Sequence, residues 1–450
     1  MRVTRKSLLV VLLVTVALGL AVLYTEGASR HSQVVNTSLE NTDQGSYLEY
    51  IVNMRETRYG YVGGRNQMPL YNFLQSLVYD PQGTADEAFS RGKAFNIALS
   101  IVLLGALFLV WRRHFPLVQA SALLLVTAFA VFIFKAAYIQ AELLYYVLAF
   151  GAFLLFCRLL EAPSWHLAVI TGVWLGLTHL TKASVLPALA LYLVAGLLRA
   201  AWLTARTVRQ KPDASAGRIV GRELSLLGLV TLAFLVTVSP YLITSRRVFG
   251  HAFYNVNSTF YMWYDRWSQA MHGTIPHGDR IGWPSLPPDQ LPSATKYLRE
   301  HTVADIAARI GDGLKFLFGS GVRTYGYWKY VLFYGAVAMV LLGIHWQWGV
   351  GLLRRHPFVG LFVTGYFLAY SLLYAWYVPV ARGNRLVLSL FLPFMFAVGW
   401  LLTARARADR LGEGRWPHWY TAVHLVMIGG ILLELHDILT RRIVTVYGGG

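Results

Sequence analysis

The chain holds one cysteine, Cys157, in 450 residues, which excludes an intrachain disulfide and any cysteine-based zinc site. Charge is equally scarce. Asp, Glu, Lys and Arg make up 14% of the residues, where soluble domains carry about a quarter. There is no glycine-rich phosphate loop and no internal repeat, direct or inverted. The short alternating strands that a membrane β-barrel requires are also missing. What remains is apolar: 56% of the residues are hydrophobic and the mean hydropathy is +0.47. The apolar residues recur in runs near the ~20 residues that cross a bilayer, so the expected fold class is an all-α polytopic membrane protein.

Eleven spans are predicted, near 7–24, 95–111, 117–134, 142–157, 166–181, 183–198, 224–243, 329–347, 357–375, 386–403 and 419–436. The first run follows MRVTRK and resembles a signal peptide, but YTEGASR offers no clean small-x-small site, which favours an uncleaved anchor over 1–24. The organisation that follows is a first long loop at 25–94, spans two to seven over 95–244, a second long loop at 245–328, and spans eight to eleven with a short tail over 329–450. Both loops exceed what a connector needs. The stretch ADIAARIGDGLKFLF (304–318) sets Ile306, Ile310, Leu314, Phe316 and Leu317 along one face and predicts an amphipathic helix at the membrane interface.

Charge orients the chain. With the N-terminus inside, the short inner segments hold 18 of the 40 Lys and Arg with five acids, while the much longer outer segments hold 22 with 17 acids. Cationic density on short loops marks the cytoplasmic side. This predicts a multi-pass plasma (inner) membrane protein with a cytoplasmic N-terminus and both long loops outside, although Arg441 and Arg442 then fall outside as well. The same rule accounts for the net charge of +18, so nucleic acid is not expected as a partner.

On the outer level several charges stand in apolar surroundings. Asp43 lies in the first loop, Lys135 and Glu142 bracket KAAYIQAE, Lys182 ends GLTHLTKAS, Arg246 and Arg247 close SPYLITSRR, and Arg382 and Arg385 sit in VPVARGNR. Each has a bland account: Lys182 snorkels, Arg385 anchors a helix end, Glu142 pairs with Lys135. Together they describe one site, in a cavity opening toward lipid, where cations hold a phosphate leaving group and a carboxylate takes a proton from a nucleophile. His179 and His345 have no ligand-type partner at helical spacing, and no metal site is predicted.

The order of these segments resembles a known family. Asp43, Tyr47 and RNQMPLYNFLQSL (65–77) look like the first loop of the GT-C class polyprenol-phosphate-sugar-dependent glycosyltransferases. That class includes the dolichyl-phosphate-mannose protein mannosyltransferase-like enzymes and the lipid A aminoarabinose transferases. AELLYYVLAFGAFLLFCRLL (141–160), WHLAVITGVWLGLTHLTKASVLPAL (165–189), SPYLITSRRVFG (239–250), LPSATKYLREH (291–301) and ARGNRLVLSLFLPFMF (381–396) resemble its later segments in order. The resemblance implies that Asp43 is the catalytic carboxylate and that Lys182, Arg382, Arg385 and Arg65 contact the donor phosphate. Glu142, Tyr47 and Arg246 become accessory groups. The implied reaction is inverting transfer of a sugar from a polyprenyl-phosphate-linked donor to a protein, lipid or glycan acceptor on the outer face. No cofactor is required, though Mg2+ or Mn2+ is compatible. The chain departs from the family in three places. Gln44 stands where relatives carry a second acid, which weakens any claim for a metal bridged by two carboxylates. Leu386 replaces an aromatic, and the sequence stops at VTVYGGG without the soluble domain that relatives often append.

FYNVNSTFYMWYDRW (253–267) in the second loop is rich in aromatics and Asn, as sugar-binding surfaces and interfacial belts both are. Asn36 and Asn257 head glycosylation-type triplets to which nothing is assigned. The rival functions are a secondary transporter, which would place its polar groups at the midplane, and a non-catalytic membrane assembly factor.

Overall fold

The computed structural model describes residues 5–40, 43–61, 63–210, 216–410 and 416–446, and all regular structure among them is helical. The helix α1 (Arg5–Val34) opens the chain; α2 (Gln44–Glu56) and α3 (Pro69–Ser76) shape the first long loop. Then come α4 (Ala85–His114), α5 (Leu117–Thr127), α6 (Glu142–Glu161), α7 (Trp165–Thr181), α8 (Leu186–Gln210) and α9 (Ala216–Phe249). The second long loop leads into α10 (Val303–Arg323), followed by α11 (Trp328–Ile344), α12 (Trp346–Arg355), α13 (Pro357–Tyr377), α14 (Phe391–Ala408) and α15 (His418–Thr440).

Each of the eleven predicted spans coincides with one of these helices. Among the described residues, eight helices are long and apolar enough to cross a membrane, or nine if α10 and α11, bent by 107°, form one span. Eleven is not reached on that measure; α7, at 17 residues, is at the short limit for a crossing. The architecture is an all-α polytopic membrane bundle.

Local chemistry sets the ends of the helices. Thr84 and Glu87 close a capping box at the start of α4, satisfying donors that a helix start leaves orphaned. Arg112, Arg113 and His114 occupy its last turn, where the helix dipole favours cations. A π-turn over Ala128–Phe132 interrupts the span after α5 just before Lys135; such widened turns redirect the side chains that follow. The α5 and α6 spans form the enclosed centre, with 72% of their most apolar stretch buried, against 22% for α15 on the rim.

α7 and α9 touch backbone to backbone. A Cβ added at Gly172 would lie 2.4 Å from the carbonyl oxygen of Val230, and one at Gly176 would lie 2.5 Å from Cβ of Thr237. The segment GVWLG is thus a small-xxx-small seam, which lets membrane helices approach where lipid supplies no hydrophobic drive.

The structure adds detail to both loops. In α10, Arg309, Gly313 and Leu317 form the buried stripe, while Leu314, Phe318 and Val322 are exposed. The predicted apolar face is therefore split: Leu317 packs inward with Arg309 and Gly313, and Leu314 points out, as an interface helix allows. In the second loop, Tyr254, Phe260 and Tyr261 neither line a sugar platform nor form a belt. They are buried with Phe249 and Val256 in a separate small core, where a ring such as Phe260 contributes about 1.5–3 kcal/mol. Arg309 ties this core to the bundle through the carbonyls of Met262, Tyr264 and Trp376 and the carboxylate of Asp265. At the other rim, Arg442 pairs with Glu434 at 3.0 Å and Asp437 at 2.7 Å, so one of the two misplaced C-terminal arginines belongs to a local ion-pair network.

Candidate functional site

The site begins with a turn held by amides. The buried Gln44 exchanges hydrogen bonds with Asn36 at 2.8 and 2.6 Å and accepts one from the Ile139 N–H at 2.9 Å. Asn36 donates to the Ala137 carbonyl at 2.7 Å. Asn96, from α4, donates to the carbonyls of Ala136 and Tyr138 at 3.2 and 2.7 Å. Buried backbone groups must be paired, and here side chains do the pairing, so the 136–139 turn and the start of α2 are fixed to one another. Gln44, the neighbour of Asp43, is therefore a neutral structural pin.

That pin sets Asp43 beside the first residues of α6. Asp43 stands at the N-cap position of α2 without capping it; its carboxylate instead accepts from Arg385 at 2.5 Å. Arg385 follows a turn in which Gly383 adopts φ +146°, a conformation open only to glycine. The Tyr146 hydroxyl donates to the Arg385 carbonyl at 2.8 Å, tying that turn to α6. The same guanidinium lies 3.9 Å from Glu142, whose Oε1 also meets the Lys182 ammonium at 3.3 Å. The other Glu142 oxygen, Oε2, is buried without a hydrogen-bond partner.

Lys182 is the first residue past α7, in extended conformation. Burial lowers its pKa, and the Glu142 carboxylate works against that shift. Tyr47, one turn into α2, is buried edge-on to Tyr71 at 5.5 Å. Burial, reinforced by Glu142 and Asp43, holds its phenol well above its ordinary pKa, so Tyr47 stays neutral and able to donate.

The residue that sequence reasoning undervalued is Lys135. It is 2% exposed, and its charge is felt by Glu142, Arg385 and Asp43. Among the described residues, however, no carboxylate comes within ion-pairing distance of it. Glu142 pairs with Lys182 and Arg385 instead, which corrects the expected Lys135–Glu142 pair. The signal was present in the sequence, as a lysine seven residues before an acid at a break between two spans. The cluster therefore sets three cations, Lys135, Lys182 and Arg385, against two carboxylates, Asp43 and Glu142, for a net charge of +1. Asp43 is its accessible member, with half of its side chain exposed, whereas Glu142 is 3% exposed.

The remaining expected residues lie apart from this cluster. Arg65 is buried, with its guanidinium 4.1 Å over the Tyr241 ring and donating to Thr244 at 2.8 Å. Its backbone bonds to Arg280 and Val256, so Arg65 stitches the first loop to the second. Arg246 is exposed and donates to the Gly250 carbonyl at the end of α9. Arg382 is exposed near Phe316 of α10. Both correct the expectation that all these cations converge. At low dielectric, opposite charges attract strongly, and these groups meet as an ion-pair network with Asp43 at its open edge; a cavity of about 460 Å³ lies at the other end of α14. Among the described residues no group of three or more His, Cys, Asp or Glu is placed to hold a metal.

No protein-family model matches the chain, and no curated protein matches it. Among solved structures it is similar to ArnT from Cupriavidus metallidurans, crystallised with undecaprenyl phosphate. That likeness has 15% identity and a TM-score of 0.47, and it covers 97% of this chain and 74% of that one.

Proposed function

We propose that this chain is a GT-C-type membrane glycosyltransferase that moves a sugar from a polyprenyl-phosphate donor to an acceptor at the membrane face where Asp43 lies. The observation that supports this reading is the surplus cation: Lys135 is shut away 5.7 Å over the Tyr138 ring with no carboxylate in ion-pairing distance among the described residues, within the field of Glu142, Arg385 and Asp43, while one Glu142 oxygen has no partner. A buried unpaired charge is costly, and an anionic ligand with one negative charge, such as a glycosyl phosphodiester, would complete the set. Lys135, Lys182 and Arg385 would grip that phosphate and stabilise it as it departs.

The step balances with the groups present. The acceptor oxygen or nitrogen attacks the anomeric carbon, the bond from that carbon to the phosphate oxygen breaks, and the phosphate leaves with the electron pair. The acceptor proton passes to Asp43. To serve as base, Asp43 must exchange Arg385 for the acceptor, while Arg385 turns to the phosphate. One displacement gives inversion; retention would need a second carboxylate about 5 Å from the first and free to attack, and Glu142 is held by Lys182. Following the charge pattern of the loops, the face is the extracytoplasmic side of the plasma membrane, and the acceptor is a protein hydroxyl, a lipid headgroup or a glycan. The scheme draws its positive charge from side chains and needs no resident cofactor.

Asp43→Asn tests it. Transfer should fall by about 10²–10⁴-fold, while polyprenyl phosphate still co-purifies with the protein. Wild-type transfer rates in a purified Asp43→Asn preparation would rule out the assignment.

A further inference from the structure

At the far end of the bundle, away from the ion-pair cluster, lies the cavity of about 460 Å³. Arg385 and Arg407 lie at the two ends of the Arg385–Ala408 span that contains α14, and 22 residue steps at helical rise put them about 33 Å apart, on opposite membrane faces. Three helix ends build the cavity: α4 contributes Arg113, α12 contributes Trp348 and Arg355, and α14 contributes Trp400 and Arg407. Among the described residues no acidic residue lines it.

Arginines on short inner loops are ordinary, but these three differ from their neighbours. Arg158 pairs with Glu161, and Arg405 pairs with Asp409. Among the described residues no carboxylate pairs with Arg113, Arg355 or Arg407. Arg355 spends one donor on the Gly351 carbonyl at 3.2 Å, and Arg407 makes one long contact to the His114 carbonyl at 3.4 Å. A guanidinium has five donors, so most remain free to face the cavity. The two indoles fix its depth, because tryptophan concentrates at the headgroup level of a bilayer. Beside the cavity, Trp346 and Leu353 of α12 are 64% and 56% exposed, an apolar surface along which acyl chains can lie.

We propose that this cavity is a binding site for the phosphate of an anionic phospholipid from the leaflet opposite the transfer site. Three convergent arginines without counter-ions match a phosphate, and basic pockets between helix ends at headgroup depth suit such lipids. The proposal is independent of the transfer chemistry, because none of these residues belongs to the Asp43 cluster.

The test uses the full-length protein in phosphatidylcholine nanodiscs, with and without phosphatidylglycerol, read by lipid retention in native mass spectrometry and by the melting temperature. The wild type should retain phosphatidylglycerol over phosphatidylcholine and melt higher with it. Each arginine removed should weaken retention by roughly five-fold, so the triple variant Arg113→Gln/Arg355→Gln/Arg407→Gln should lose about 100-fold. Replacing the three by lysine keeps the charge and should keep part of the retention, which gives a readout if the Gln variant folds poorly. Arg354→Gln, exposed but outside the cavity, should change little. Equal retention by wild type and triple Gln variant overturns the site. So does an Arg354→Gln loss as large as that at Arg355, which would signal diffuse surface attraction. Equal stabilisation by inorganic phosphate alone overturns the lipid as its source.

Discussion

A lysine closed off from water costs several kcal/mol unless an opposite charge is at hand. Lys135 carries that cost in a cluster whose two carboxylates are engaged by Lys182 and Arg385. Lys135→Met removes the charge and keeps most of the volume, so two measurements should move in opposite directions. The melting temperature of the ligand-free protein should rise, because the desolvated ammonium is gone. Affinity for polyprenyl phosphate should fall by about ten- to hundred-fold, the worth of one charge-assisted contact. A variant that binds the lipid normally would show that Lys135 serves packing alone. Gln44 teaches the complementary lesson. Its place beside Asp43 suggests a lost second acid, yet its amide closes a network that only a neutral donor–acceptor side chain can complete.

Helices, rather than side chains, set the distances in the site. Lys182 is carried by the end of α7, and α7 is placed by its seam with α9 at Gly172 and Gly176. Gly176→Leu should therefore force the two helices apart, at a cost of at least about 1–3 kcal/mol for an overpacked contact. It should appear as a lower melting temperature together with slower transfer as Lys182 leaves Glu142; an unchanged melting curve would refute the seam. Much at this scale is legible in sequence, since the span positions follow from apolar runs and GVWLG spells out its own close approach. Other features are invisible to it. The Arg385–Asp43 pair joins positions 342 residues apart, which no local periodicity reports. The rings of 253–267 look alike by composition, yet Tyr254, Phe260 and Tyr261 form a core while Phe253 and Trp267 are exposed, because composition does not tell an exposed ring from a buried one. The inward face of α10 is legible only at Leu317; its other contacts use glycine and arginine, which a search for apolar stripes passes over.

For the molecule as a whole, the two ends of the bundle differ in chemistry. One holds mixed charges knitted into ion pairs beneath two loops that Arg65 joins; the other holds arginines around a cavity that pair with no acid among the described residues. The charge rule assigns the second end to the cytoplasm. In a Cys157→Ser background, a cysteine at Leu298, which is 62% exposed, should react with an impermeant maleimide added to intact cells. One at Arg354 should react only after permeabilisation, and the reverse pattern would invert the topology. The tally of charge at the Asp43 end has a further consequence for turnover. A glycosyl phosphodiester brings one negative charge to a site of +1, and the sum is zero. After transfer the carrier is a monoester with a charge near −2, while Asp43, now carrying the acceptor proton, has left the site at +2. On the proposed mechanism, reactant and product complexes are both electroneutral, so release of the polyprenyl carrier would go with loss of the proton from Asp43, and turnover would be geared to proton release.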